Sequence, residues 1–179
     1  KLIIKIFELN DIEIGSSKEI QQSSNSDIDF NSFSYIVNSD KKHVKITNIN
    51  DISNPLIDNS TKRPFDKFNI EQFEKVTGGF RIDFQDDVDE YYEINFQSVQ
   101  NSIPYVGVCV EKNKTAKLYL NLNNSVKGNV YPIIELSLKE NSNLEIILSV
   151  TSLEDVNVAN SIYAKVLKDA NLKMHTISM

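Results

Sequence analysis

Three stretches in the second half of the chain decide the fold: YVGVCVEKNKTAKL at residues 105–118, IIELSLKENSNL at 133–144 and YAKVLKDANL at 163–172. Each consists of an alternating strand, a short polar turn and a second strand that begins at leucine. The leucines at 118, 144 and 172 are 26 and 28 residues apart. Such a repeat is typical of a solenoid, because one coil buries its apolar face only by stacking on the next.

The same period-two alternation starts upstream of these repeats. Apolar residues at 80, 82 and 84, and again at 92, 94 and 96, alternate with polar ones. We therefore predict a mainly β protein whose core is a right-handed parallel β-helix. An antiparallel β-sandwich would also show evenly spaced strands and stays open as an alternative. Parallel pairing of residues 118–122 with 144–148 would favour the β-helix, and antiparallel pairing would favour the sandwich.

One helix is predicted, between Pro64 and Val76. Phe65, Phe68 and Phe73 recur there at helical spacing, with charged residues on the other face. Thr77-Gly78-Gly79 is predicted to end it, because glycine accepts the positive φ of a helix C-terminus.

The first third of the chain is predicted to be a small mixed region. Residues 1–14 predict a strand pair or one long strand, and residues 34–37 and 43–46 predict two short strands around a turn at 38–40. Proline and Asx residues accumulate before Pro64, so we place a boundary near residue 60. The predicted division is a variable N-terminal region at 1–60 and a partial β-helix core at 61–179.

Composition argues against several classes of function. The chain of 179 residues has a net charge of −6 and two arginines, Arg63 and Arg81, whereas nucleic-acid binding needs a clustered basic surface. Its one cysteine, Cys109, excludes an internal disulfide and a zinc site built on several cysteines. The first residues are too charged for a signal peptide or a spanning helix. We predict a soluble, cytoplasmic protein with no membrane partner.

Few residues are candidates for chemistry. Cys109 lies in an apolar strand, which predicts a small buried hydrophobe rather than a reactive thiol. His43 and His175 are the two imidazoles, and His175 alternates with Met174 and Thr176 on a strand that could line a groove. Five carboxylates between residues 83 and 90 could attract a hard cation, but they lack the EF-hand spacing. No catalytic motif is present. We therefore predict no catalytic residue, leave cofactor and metal ligands unassigned, and do not expect an enzyme.

Several segments of residues 62–179 resemble one family. They are Phe68-Asn69 with Phe73, Gly79-Phe80-Arg81-Ile82, Tyr92-Glu93-Ile94-Asn95-Phe96, Pro104-Tyr105, Glu111, Ala116-Lys117-Leu118 and Val166–Leu172. Together they resemble the entry into the core of the SufB/SufD iron–sulfur cluster assembly scaffold proteins. The chain departs from that pattern where Phe68 replaces leucine, Asp86-Asp87-Val88 replaces a Pro-x-Gly turn and Tyr91-Tyr92-Glu93 replaces a Pro-Ile pair.

The resemblance implies a noncatalytic scaffold of SUF-type iron–sulfur cluster assembly. Members of that family form homo- or heterodimers with SufB/SufD-like subunits, bind a SufC-like ABC ATPase and hold a cluster transiently in the full assembly. The family's sulfur- and iron-handling residues have no counterpart here, so this portion is expected to bind no cofactor itself. Two alternatives stay open: a polysaccharide-acting β-helix enzyme with Asp and Lys or Arg in a cleft on an outer sheet, and a carbohydrate-binding or adhesion β-sandwich.

Overall fold

A computed structural model describes residues 2–8, 13–14, 34–37, 44–48, 72–73, 75–76, 78–97, 101–124, 128–152 and 156–178. Over these residues the chain forms a parallel β-solenoid of about three turns. The predicted parallel β-helix is therefore confirmed, and the antiparallel sandwich is not favoured.

The solenoid has two long sheets and one short one. Sheet A has the order β2-β1-β13-β10-β7-β5-β4, sheet B the order β14-β11-β8-β6-β3, and a two-stranded sheet pairs β12 with β9. The strands are β1 (Leu2–Glu8), β2 (Glu13–Ile14), β3 (Ser34–Val37), β4 (Val44–Asn48), β5 (Gly78–Phe84), β6 (Tyr92–Gln97), β7 (Pro104–Val110), β8 (Thr115–Asn124), β9 (Gly128–Val130), β10 (Ile133–Leu138), β11 (Asn143–Ser152), β12 (Val156–Val158), β13 (Asn160–Val166) and β14 (Asn171–Ser178).

Successive coils stack in register with a 28-residue period from β7 onward. Val106 pairs with Ile134, which pairs with Ile162, and all three strands run parallel. In sheet B, Leu118 pairs with Ile146, and Leu144 pairs with Ala116. The alignment of Leu118 with Leu144 in the sequence repeat was therefore wrong by two residues. An even shift preserves the alternation of inward and outward side chains, so the apolar pattern alone does not set the register.

The interior between sheets A and B is a continuous apolar core. Its inward positions are occupied by stacked residues from every coil, including Phe80, Val106, Leu118, Ile134 and Ile146, all fully buried. Burying one such Leu, Ile or Phe side chain contributes about 1.5–3 kcal/mol. The stack therefore supplies the main driving force for the fold.

Residues with positive φ form the turns between sheets A and B. Asn113, Asn141 and Asp169 have φ values of 62°, 57° and 57° and occupy equivalent positions in three successive coils. The Asn141 amide Nδ2 donates to Asn113 Oδ1 at 2.9 Å. Asn and Asp tolerate this conformation better than most residues, which explains their recurrence at a 28-residue spacing.

The N-terminal strands pair with both ends of the solenoid. β3 and β4 are present where strands were predicted, but they do not form a hairpin with each other. β4 pairs antiparallel with β5, and β3 pairs antiparallel with β6. At the other end, β1 adds to β13 in parallel register, and β2 pairs antiparallel with β1. Of the two forms predicted for residues 1–14, a strand pair or one long strand, the pair is the one present.

The predicted helix is described only in part. Gln72 and Phe73 are helical, whereas residues 64–71 and 74 lie outside the described residues. Gly78 and Gly79, predicted as the helix terminus, belong to β5 instead. The predicted boundary near residue 60 also lies outside the described residues and stays a prediction.

Candidate interaction surfaces

The outer face of sheet A is covered. Its outward side chains Tyr105, Cys109, Glu135, Ser137, Ser161 and Tyr163 are all buried. Part of the cover is Gln72, whose Nε2 donates to the Tyr131 carbonyl at 2.8 Å and whose Oε1 accepts from Ser161 Oγ at 2.7 Å. The Phe73 ring lies beside it, 5.5 Å from the Tyr163 ring. These contacts hold Gln72 and Phe73 against the outer face of sheet A.

Polar side chains lie under this cover. The Tyr105 hydroxyl donates to Glu135 Oε2 at 2.6 Å, and both residues are fully buried. One coil away, Arg81 donates to Asp83 Oδ1 at 2.7 Å. The first bond pairs a carboxyl group that would be costly to bury without a partner, and the second pairs Asp83 with the partly exposed Arg81.

Cys109 is buried, as predicted, but on the outer face of sheet A rather than between the sheets. Its register neighbours are Asp83 and Ser137, and its thiol donates to Glu111 Oε1 at 3.8 Å. Burial, with smaller contributions from Glu111 and Asp83, raises the pKa of the thiol to about 11. At neutral pH the group stays protonated, so it is a poor nucleophile and metal ligand.

The outer face of sheet B is open, in contrast to sheet A. Three side chains in one row across it are Lys117, Glu145 and Lys173. Lys173 Nζ donates to Glu145 Oε1 at 2.9 Å. The hydrogen bond from Lys173 lowers the pKa of Glu145, and Glu145 in turn raises the pKa of Lys173.

His175 lies on this open face. It is on β14, as the alternation predicted, and its Nε2 is 3.5 Å from Glu145 Oε1. The other histidine, His43, lies outside the described residues. Within the described ranges, no group of three or more His, Cys, Asp or Glu side chains could hold a metal ion.

The acidic turn after β5 takes part in coil stacking. Asp87 Oδ1 accepts from the Thr115 amide at 2.7 Å, and Lys114 Nζ lies 3.5 Å from Asp86 Oδ1. Two of the five carboxylates therefore tie the first coil to the second.

The edge of β14 is the third surface. Among the described residues no strand pairs with its outer side, whereas β13, its counterpart in sheet A, is paired with β1. β1 therefore extends sheet A by one strand beyond β13, and among the described residues no strand extends sheet B beyond β14.

Sequence reasoning missed the charge pairs between coils. Lys112 bonds Glu140, and Lys173 bonds Glu145, each across 28 residues. These pairs could have been found in the sequence as residues of opposite charge 28 positions apart. Finding them requires the correct repeat length, which the leucine spacing did not give.

No family model matches the chain, and no match was found among curated proteins or solved structures. The resemblance to SufB/SufD proteins therefore rests on the sequence segments alone. In the part of the chain that the structure describes, no helix has the length and apolar character needed to cross a membrane.

Proposed function

We propose that the protein is a noncatalytic scaffold that works through protein–protein contact at the free edge of β14, with a second copy of the chain as its partner. The observation that supports this most directly is that, among the described residues, no strand pairs with the outer side of the eight-residue strand β14 at the end of sheet B. Such an edge is a template for another strand.

The backbone of β14 offers regularly spaced groups for pairing. The Asn171 amide donates to the Ser142 carbonyl, toward β11. Successive residues of a strand point their N–H and C=O groups to alternate sides. Leu172, Met174 and Thr176 therefore direct these groups toward the free edge.

Apolar side chains on the same strand remain exposed to solvent. Leu172 and Met174 point toward the core but are only partly buried, whereas their neighbours Leu144 and Ile146 in the preceding coil are 1% and 0% exposed. Ile177 is 45% exposed on the outer face. A strand added here would cover the open end of the core.

A second copy fits this edge because antiparallel pairing of β14 with itself is self-complementary. With Met174 on the two-fold axis, Leu172 faces Thr176 of the partner subunit, and Asn171 faces Ile177 of the partner subunit. Such pairing removes the free edge of both copies at once and closes as a dimer, whereas head-to-tail pairing would leave an edge for further growth.

A matched pair of substitutions tests the proposal. Thr176→Pro removes an amide that points to the free edge, while the bonds to β11 come from the odd-numbered residues. Thr176→Val keeps the amide and the β-branched shape. By light scattering coupled to gel filtration, wild type and Thr176→Val are expected to be dimers, and Thr176→Pro a monomer.

Circular dichroism should show the same β content in all three proteins. A monomeric wild type at about 100 μM, where a dimer of micromolar Kd would be mostly associated, would contradict the proposal. A dimer that persists in Thr176→Pro would contradict the assignment to this edge.

In its narrower form the proposal places the protein in SUF-type iron–sulfur cluster assembly. The sequence resemblance supports this form, and the parallel solenoid agrees with the fold that the resemblance implies. The test is copurification of the full-length protein with a SufC-like ABC ATPase. If no complex with the ATPase forms, the role in iron–sulfur cluster assembly is contradicted. The dimer test is unaffected by that result, because it measures contact between two copies of the chain and not contact with the ATPase.

A further inference from the structure

We infer that His175 makes the dimer sensitive to pH, so that protonation of this side chain weakens the pairing of the two β14 strands. The inference rests on the proposed function, because it concerns the same edge and takes a second copy of the chain as the partner. It adds a regulator, the proton, and names the side chain that senses it.

His175 shares its one carboxylate neighbour with a lysine. The imidazole is on the outer face of β14, with the side chain 49% exposed. Its Nε2 is 3.5 Å from Glu145 Oε1, and Lys173 Nζ donates to the same oxygen at 2.9 Å. The register partner of His175 on β11 is Ile147, which carries no charge. A protonated His175 therefore meets a carboxylate whose charge Lys173 already balances.

The remaining ionisable groups described on this face lie further from β14. Lys117 and Tyr119 are on β8, and Glu93, the register partner of Tyr119, is on β6. The Tyr91 ring lies 6.0 Å from Lys117 Nζ. Lys117 and Glu93 carry opposite charges and add no net charge. The described part of the face is thus balanced while His175 is neutral, and it gains one positive charge when His175 is protonated.

The proposed pairing places this charge directly opposite a second cation. With Met174 on the two-fold axis, His175 faces Lys173 of the partner subunit. The backbone groups that bond across the new seam belong to the even-numbered residues, so His175 and the partner's Lys173 form a non-hydrogen-bonded pair. In such a pair the Cα atoms are about 4.5 Å apart and the side chains are closest. The two-fold axis repeats the contact, so one dimer contains two such pairs.

Protonation of His175 therefore costs more in the dimer than in the single chain. Like charges directly opposite each other destabilise a strand pair, whereas in the single chain the free side of β14 faces water. Because coupling between two binding events is reciprocal, a dimer that takes up protons less readily dissociates as protons bind. Histidine is the side chain that ordinarily changes charge between pH 5 and 8.

The test is sedimentation equilibrium at pH 7.5 and pH 5.5 at one ionic strength. For the wild-type protein we expect the Kd of the dimer to be about fivefold or more higher at pH 5.5, because two opposed cation pairs form. His175→Gln keeps a polar side chain that carries no charge and should dimerise equally at both pH values. Lys173→Gln removes the facing cation and should also lose the pH effect.

The protein's other histidine supplies the matched control. His43→Gln removes the same titrating group from a position outside β14 and should keep the wild-type response. In 1 M NaCl, where charges are screened beyond about 3 Å, the difference between the two pH values should shrink. These results together support His175 as the pH sensor of the dimer.

The outcomes separate the switch from the dimer itself. A wild type that dimerises equally at both pH values, or a pH effect that persists in His175→Gln, would overturn the switch and leave the dimer intact. A wild type that is monomeric at both pH values at about 100 μM, well above a micromolar Kd, would overturn the dimer and the switch together.

Discussion

Gly79 is a position where a single methyl group would disturb the stacking of two coils. A Cβ there would lie 2.5 Å from the Tyr105 carbonyl oxygen and 2.8 Å from Tyr105 Cβ. Gly79→Ala should therefore lower the free energy of unfolding by about 1–3 kcal/mol, as overpacking does elsewhere. Urea denaturation measures this, with the exposed Gln85→Ala as a control that should change little. Equal effects of the two substitutions would show that the close approach is not limiting.

Cys109 should be an unreactive thiol in the folded protein. Its pKa is raised from 9.0 to about 11, so at pH 8 its thiolate fraction is about a hundredfold below that of an ordinary cysteine. Alkylation by iodoacetamide at pH 8 should be slower by about that factor in the native chain than in urea. Similar rates in the two states would contradict the burial.

The same shift has a consequence for stability. Between pH 9 and 11 the unfolded chain has released the thiol proton and the folded chain still holds it, so stability falls as the pH rises. Wild type should therefore lose stability relative to Cys109→Ala across this window in urea titrations. A constant difference between the two proteins would argue against a raised pKa.

At the residue scale, the sequence predicted the burial of Cys109 but not its surroundings. The apolar residues next to Cys109 in the sequence are enough to predict that it is buried in a strand. Asp83 and Ser137 reach Cys109 from coils 26 and 28 residues away. Only the correct register brings them together, and the helical spacing of the phenylalanines before Val76 does not indicate on which face of the solenoid Gln72 and Phe73 pack.

At the element scale, the turns set the register that the strands leave open. Apolar alternation survives any shift by two residues, which is how Leu118 was matched with Leu144. Asn113, Asn141 and Asp169 allow a single alignment, because each must adopt positive φ. A search anchored on these turn residues would have given the 28-residue period.

Asn141 tests the importance of these turns. Asn141→Ala should cost about 1–2 kcal/mol, because alanine is strained at φ 57° and the bond to Asn113 is lost. Asn141→Gly removes the same side chain without the strain and should cost less. Urea denaturation measures the free energy of unfolding of both variants. Equal losses of stability would mean that the strain of positive φ is not the main cause of the effect.

At the scale of the whole molecule, the first strand lies against the last coil. β1 pairs with β13 over seven residues, in the same parallel register as one coil on another. Residues 2–8 lie outside the sequence repeat that contains β13, so the pairing of β1 with β13 could not be predicted from periodicity. The sequence did predict that strands exist at both ends of the N-terminal region.

Removing residues 1–14 should expose the edge of β13. We expect a lower midpoint of thermal unfolding and aggregation that increases with protein concentration, because an unprotected edge recruits other strands. Dynamic light scattering during a thermal ramp measures both. An unchanged midpoint with a monodisperse sample would mean that β1 does not protect the sheet.

Residue-resolved hydrogen exchange along β14 tests the proposed scaffold most directly. At concentrations where the dimer forms, the account predicts slow exchange for every amide from Asn171 to Ile177. On dilution, the amides of Leu172, Met174 and Thr176 should become fast, while those of the odd-numbered residues stay protected by β11. Fast exchange of the even-numbered amides at every concentration would contradict the use of this edge.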